Sequence, residues 1–214
     1  MTQAESVPLL EVHRRPVGAW HTNAYVLREP TSRHSILVDP GSEPAALQAL
    51  LADSIPQAIL ITHTHADHIG ALPAMRRALG VPVYAHPLAR ARIIADQWLN
   101  DGDTLPLGAV TLRLRAAPGH SPDMLMCLAD DPATGGLTAI VGDTIFDGGP
   151  GRTWSAADFR TTLATLRDVV LPLPDATHCY PGHGESFRLG DIRAAIQAFV
   201  ERDHGDFYGN ATWA

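Results

Sequence analysis

Lysine is missing from this 214-residue chain, and all 16 positions counted as lysine or arginine are arginines. That excludes a Schiff-base lysine and the lysine of a phosphate-binding P-loop. Cysteine is scarce. Cys127 and Cys179 are too few for a disulfide framework and fit two buried thiols in a reducing cytoplasm. No run approaches the roughly 20 apolar residues that span a bilayer, so no membrane partner is expected. Met1–Leu10 has neither a basic start nor a long apolar core, and so does not read as a signal peptide. No basic block stands out and the formal net charge is −7, which argues against nucleic acid. These absences point to a small-molecule substrate.

What is present reads as one α/β domain over residues 1–214, with the last ten or so as a tail. The length suits a single sizeable core. With 45% apolar and 18% charged residues, most of the chain has the make-up of a folded globule. Leu9–Arg14, Ala24–Arg28 and Ser35–Val38 read as strands closed by proline and glycine signals. Glu43–Ala52 reads as a helix with Leu47, Leu50 and Leu51 on one face. Ala58–Thr62 is a continuous apolar run, as in a strand buried on both faces. A helix from about Asp67 carries a stripe of Ile69, Leu72, Met75 and Leu79, and Gly80 ends it. Val81–Ala85 reads as a strand and Pro87–Leu99 as a helix. The second half repeats the grammar, with strands at Val110–Ala116, Met124–Leu128 and Leu137–Val141. Ser155 opens a helix, with Asp158 placed to complete a capping box and Phe159, Leu163, Leu166 and Val170 facing the core. Thr177–Tyr180 is a last strand and Ile192–Arg202 a last helix. Two sheets packed face to face, with helices outside, satisfy this pattern.

The chemistry lies at strand ends. Thr62-His63-Thr64-His65-Ala66-Asp67-His68 follows the most apolar strand. Extended backbone sends residues i and i+2 to the same side, so His63 and His65 can share one metal ion. The turn into a helix then carries Asp67 and His68 to a neighbouring position. Three more strands end in a ligand beside glycine, in Pro118-Gly119-His120-Ser121, Gly142-Asp143-Thr144 and Pro181-Gly182-His183-Gly184. A single Pro-Gly-His turn is usually only a turn. Four such ends in one chain read jointly as a metal site. Imidazole and carboxylate suit zinc, and also iron or manganese.

On these motifs, with Asp39-Pro40-Gly41 and Gly-Asp-Thr-Ile-Phe, the sequence resembles the metallo-β-lactamase-fold hydrolases from about Asn23 to Gly184. It is closest to their glyoxalase II (hydroxyacylglutathione hydrolase) branch. The resemblance implies an αβ/βα four-layer sandwich with two divalent ions at one edge. It assigns His63, His65 and His120 to the first ion, Asp67, His68 and His183 to the second, and Asp143 to both. Asp39 would steady the ligand loop without touching metal. The activity implied is hydrolysis of a thioester or related ester or lactone by a hydroxide shared between the ions, with Asp67 and Asp143 as catalytic carboxylates. A thiolate leaves without an acid, since a free thiol has a pKa near 8.5.

Glyoxalase II carries an additional helical region with basic residues for glutathione, which a lysine-free chain this short does not match. Gly149-Pro150-Gly151-Arg152-Thr153-Trp154 is similar to a segment of short glyoxalase II-like proteins and of persulfide dioxygenases, where a single iron is held by the counterparts of His63, His120 and Asp143. Trp154 departs from the aspartate usual there. Arg152, Trp154, Tyr180 and His21 are candidate substrate residues. His13, His34, His86, His178 and His204 read as ordinary surface or core residues. Alternatives are the mononuclear iron dioxygenase, a β-lactamase, or a metal-binding module without catalysis. A diiron oxygen reductase usually has glutamate at the position of His65. The aromatic tail Asp206–Trp213 could cover the pocket or a neighbouring copy in a homo-oligomer, although a loosely packed terminus is the default.

Overall fold

The computed structural model describes residues 9–214; residues 1–8, most of the stretch read against a signal peptide, lie outside the described residues. Strands β1 (Glu11–Val17), β2 (Thr22–Arg28) and β3 (His34–Val38) form an antiparallel meander. Helix α1 (Pro44–Leu50) leads to β4 (Ile55–Leu60), which lies parallel to β3. Helices α2 (Ala66–Ile69) and α3 (Leu72–Leu79) lead to β5 (Val83–Ala85) and β6 (Gln97–Trp98), completing a six-stranded sheet in sequence order. The second sheet begins with β7 (Thr104–Leu107), β8 (Val110–Ala116), β9 (Leu125–Asp131) and β10 (Gly136–Gly142). The hairpin β11 (Ile145–Phe146) and β12 (Gly149–Pro150), helix α4 (Ala156–Thr165), strands β13 (His178–Pro181) and β14 (Phe187–Arg188), and helix α5 (Leu189–Glu201) follow. Its order is β14-β13-β10-β9-β8-β7, with β10 and β13 parallel.

The period of two in each strand divides the core into layers. In β4, Ala58 and Leu60 face the space between the sheets with Tyr25, Leu112, Leu125 and Ile140. Ile59, and Ile61 just beyond the strand, face outward onto Leu47, Leu72 and Met75. In β9, Leu125 and Cys127 face inward, while Met126 and Leu128 meet Phe159, Leu166, Ile196 and Phe199. Both faces of each central strand are covered, which is why those strands read as unbroken apolar runs. The result is the expected αβ/βα sandwich. No helix among the described residues is long and apolar enough to cross a membrane.

Two expected helices differ. The stripe from Asp67 to Leu79 is broken at Gly70–Ala71, where the Ala71 amide donates to Pro40 O at 2.9 Å. Gly70 also lies so close to Gly41 that a Cβ there would be 2.4 Å from the Gly41 carbonyl oxygen. Pro73 supports the break, because it has no amide proton to return to Ile69. In place of a helix over Pro87–Leu99 there is one 3-10 turn, Pro87–Ala91, and then extended chain. Asp96 directs this: its carboxylate accepts the Val83 amide at 2.8 Å and its own amide donates to Val83 O, tying the segment to the sheet edge. Ser155 does cap α4, its Oγ accepting from the Asp158 amide.

Glu29, which no motif marks, closes the β2–β3 hairpin. Its carboxylate accepts the amides of Ser32 at 2.7 Å and Thr31 at 2.9 Å. These hydrogen bonds, Ser32 foremost, push its pKa down from 4.5 to about 2. A depressed carboxyl stabilises the fold above the unfolded pKa and loses that contribution as pH falls through the folded one. Glu29→Gln is therefore expected to melt below wild type at pH 7, and the two melting curves should converge as pH approaches 2.

Candidate metal centre

The strands β3, β4, β8, β10 and β13 all end at one edge, and the loops after them converge there. Backbone hydrogen bonds join the two sheets at this edge: Leu125 N donates to Thr62 O at 2.8 Å and Asn23 N to Gly182 O at 2.7 Å. Three groups of donors have ligand atoms within 4.8 Å of one another: the triads His63–His65–His120 and Asp67–His68–His183, and behind them Asp39–His63–His68. In the first, His65 Nδ1 is 3.0 Å from His63 Nε2 and 2.9 Å from His120 Nε2. In the second, Asp67 Oδ2 is 3.6 Å from His68 Nε2 and 3.3 Å from His183 Nε2. Asp143 lies between them, with Oδ2 3.4 Å from His120 Nε2 and 3.6 Å from His183 Nε2, and Oδ1 3.5 Å from His68 Nε2.

The surrounding hydrogen bonds decide which ring nitrogen faces inward. His120 Nδ1 donates to Arg152 O at 2.8 Å and His183 Nδ1 to Trp20 O at 3.1 Å. His68 Nδ1 donates to Asp39 Oδ2 at 2.8 Å. The Thr62 hydroxyl donates to Asp39, so its oxygen accepts from His63 Nδ1. In the neutral ring each Nε2 is then a bare lone pair directed at the others, the arrangement by which proteins orient metal ligands. His68 Nε2 and Asp143 Oδ1 are buried without any partner, a costly state for protein alone. Nitrogen and oxygen lone pairs converging in a buried site fit a cation.

Charge gives the same answer. Burial, reinforced by the neighbouring imidazoles, pushes His63 well below its usual pKa. Burial also lowers His65 and, against the pull of Asp143, His120. The second triad is rich in negative charge. Burial works against protonating His68, yet Asp39, Asp143 and Asp67 hold it up to about 9. Burial likewise opposes the ionised form of Asp67, but His183, His68 and the Thr22 hydroxyl at 2.8 Å keep its carboxyl below the usual range.

Asp39, at φ 50°, touches neither triad's centre but binds three groups behind it: the Thr62 amide at 2.8 Å, the Thr62 hydroxyl and His68. Arg152 and Trp154 stand at the rim. The guanidinium stacks on the indole at 4.5 Å, and the indole lies 6.3 Å from the His65 ring and is 56% exposed. His21 is exposed, between Trp20 and Thr22, which do contact the centre. Tyr180 is placed elsewhere. It packs on Tyr25 and His178 and lines a cavity of about 260 Å³ with Asp131 and Arg188. The side chains on β13 alternate, and Tyr180 takes the face toward the inter-sheet core.

Asp123 was not foreseen. It accepts the Thr64 amide at 3.0 Å, the Thr64 hydroxyl at 2.6 Å and the Ser121 hydroxyl, so it ties the loop of His63 and His65 to that of His120. Its only signal was an acidic residue three places after His120. Nor did the motifs reveal that the carbonyls of Trp20 and Arg152 orient two of the histidines, since a backbone atom leaves no mark in sequence.

Two sheets enclosed by helices, with histidines and aspartates gathered at the shared strand edge, define a metal-centred α/β sandwich protein. A family model described as the metallo-beta-lactamase superfamily matches residues 17–183, and the chain belongs to that superfamily of metal-dependent hydrolases. It is 31% identical to a hydroxyacylglutathione hydrolase of Pseudomonas putida (strain W619), over 84% of this chain and 68% of that protein. Among solved structures, it is similar to the BLEG-1 B3 metallo-beta-lactamase, with 30% identity and TM-score 0.76 over 86% of this chain and 97% of that one. It is also similar to TTHA1623 in a di-iron-bound form, with 32% identity and TM-score 0.70 over 85% and 96%.

Gly182 backs the centre so closely that a Cβ there would lie 2.0 Å from Asp143 Oδ1 and 2.7 Å from His68 Cε1. Gly182→Ala is expected to displace Asp143 and lower the metal bound per chain, measured by elemental analysis. Asp39→Asn should weaken metal binding about 10–100-fold, read by competition with a chromophoric chelator.

Proposed function

We propose that His63, His65 and His120 hold one divalent ion, that Asp67, His68 and His183 hold a second, and that Asp143 touches both. The centre then hydrolyses a thioester or a related ester or lactone. The observation that carries this reading is the gathering of seven nitrogen and oxygen donors at one sheet edge, two triads with Asp143 between them, with buried His68 Nε2 and Asp143 Oδ1 otherwise unpartnered. Zinc suits such donors, and so do iron and manganese. When bound, the ions would polarise a carbonyl and bring the pKa of water to about 7.

The chain's own groups complete the site. Asp67, kept ionised and held by Thr22, can accept a hydrogen bond from water at the centre and so orient it. The Arg152 guanidinium, stacked on Trp154, has no acidic partner among the described residues and is free to take a carboxylate of the substrate. Trp154 forms a flat apolar wall beside His65. No general acid stands opposite Asp67 in the donor set, which favours a leaving group that departs as an anion, such as a thiolate. The hydroxyacylglutathione hydrolase among the relatives acts on a substrate of this kind, by its name.

The test is elemental analysis of the purified chain together with a panel of thioesters, esters, lactones, nitrocefin and glutathione persulfide. Two ions per chain and chelator-sensitive thioester turnover are expected. One iron with oxygen uptake on the persulfide would replace this reading with a dioxygenase, and nitrocefin turnover alone would replace it with a β-lactamase. Asp143→Ala should abolish turnover, and unchanged activity would overturn the site. Protons compete with metal for the same nitrogens, so metal content is expected to fall in two stages as pH is lowered: from the second triad first, where His68 is held up to about 9 and His183 is also raised, and from the first only below the usual imidazole range.

A further inference from the structure

The tail after α5 is folded, which the default for a terminus would not lead one to expect. Trp213 is buried and sits at 5.4 Å, edge-on, to Phe199. Phe207 packs on Phe159 at 4.9 Å, and His204 on Phe199 at 4.5 Å. Arg202 donates to Trp213 O at 2.9 Å, tying the tail back to α5.

The tail is bonded mainly to one other segment, the loop that runs from Phe146 to Thr153. Trp213 Nε1 donates to Phe146 O at 3.2 Å and Trp213 N to Gly148 O at 3.1 Å. Thr153 N donates to Gly209 O at 3.0 Å, and Gly209 N returns a bond to Thr153 Oγ1 at 3.2 Å. Ala211 runs so close beneath Gly149 that a Cβ there would be 2.2 Å from the Ala211 carbonyl oxygen. The loop is thus held at both ends and in the middle.

The same loop supports the metal centre from behind. Arg152 O accepts from His120 Nδ1 at 2.8 Å. Gly151 presses on both Asp143 and His120, where an added Cβ would meet Asp143 O at 2.0 Å and His120 Cβ at 2.9 Å. The link to the second triad is weaker: the Phe146 ring stands 6.2 Å from that of His183, without a hydrogen bond between them.

We infer that residues 207–214 form a strap that positions His120, through the 146–153 loop, and so sets metal affinity more at the His63–His65–His120 triad than at the Asp67–His68–His183 triad. Trp213 and Gly149 are the positioning residues, Trp213 as the anchor and Gly149 as the point where strap and loop touch. This inference rests on the two-ion reading for its metal arm only.

The experiment uses the full chain, a chain ending at Asp206, and Gly149→Ala, which lifts the strap without removing any aromatic contact. Hydrogen exchange of the metal-free proteins is measured first, and the amides of Gly151 and Thr153 are expected to lose protection in both variants while those of β4 and β10 keep theirs. Zinc affinity is then measured in a His183→Ala background, which reads the first triad, and in a His65→Ala background, which reads the second. The first is expected to weaken about 10–100-fold, as for other groups that orient metal ligands, and the second to weaken by a smaller factor, since it meets the loop only through Asp143 and Phe146. Unchanged exchange at Gly151 and Thr153, or equal weakening of both triads, would overturn the strap. If the full chain binds a single ion or none, the proposed function fails while the exchange result still decides the strap. If the shortened chain does not fold, Gly149→Ala decides alone.

Discussion

Lone pairs aimed at one another repel unless something positive lies between them. Around this constraint the edge of the sandwich is built. Four imidazoles have their outer nitrogens bound, by Asp39, Thr62 and the carbonyls of Arg152 and Trp20, and so present bare Nε2 atoms to the centre. Asp143 adds an oxygen with no other partner. Protonation could relieve part of the repulsion, as the raised pKa of His68 shows, but burial opposes the same solution at His63. Cations among these lone pairs would relieve the repulsion where protonation does not.

The rest of the architecture serves that convergence. Parallel pairing of β3 with β4 and of β10 with β13 delivers the ligand loops to the same edge. Glycine makes the approach close enough, at Gly182 against Asp143 and at Gly41 against the Asp67 carbonyl. Carboxylates behind the ligands then fix the loops to one another, Asp39 on the side of His68 and Asp123 on the side of His65 and His120. The tail adds a third support through the loop of Arg152. Asp39 reaches both triads, His68 directly and His63 through Thr62, whereas Asp123 serves the first alone.

Superfamily membership places the chemistry among metal-dependent hydrolases, and the rim bears on what is hydrolysed. A guanidinium stacked on an exposed indole beside His65 offers a charged contact and a flat apolar one side by side. The relatives of comparable identity differ in activity by their names, from a thioester hydrolase to a β-lactamase.

Sequence alone carried the layers and the candidate donor residues. Unbroken apolar runs such as Ala58–Thr62 can be satisfied only between two covered faces, and a histidine two places from another on extended chain must share its side. Ser155 and Asp158 announced their helix because a cap is a local interaction. What sequence left open depended on partners distant along the chain. The break at Gly70 comes from Gly41 and Pro40, the extended path before Trp98 from Asp96 bonded to Val83, and the position of Tyr180 from its packing on Tyr25. Asp123, the Arg152 carbonyl and the strap of residues 207–214 were likewise invisible, since hydrogen bonds across 30 or more residues leave no spacing to read. Tertiary structure decided them because only the folded chain brings donor and acceptor within about 3 Å.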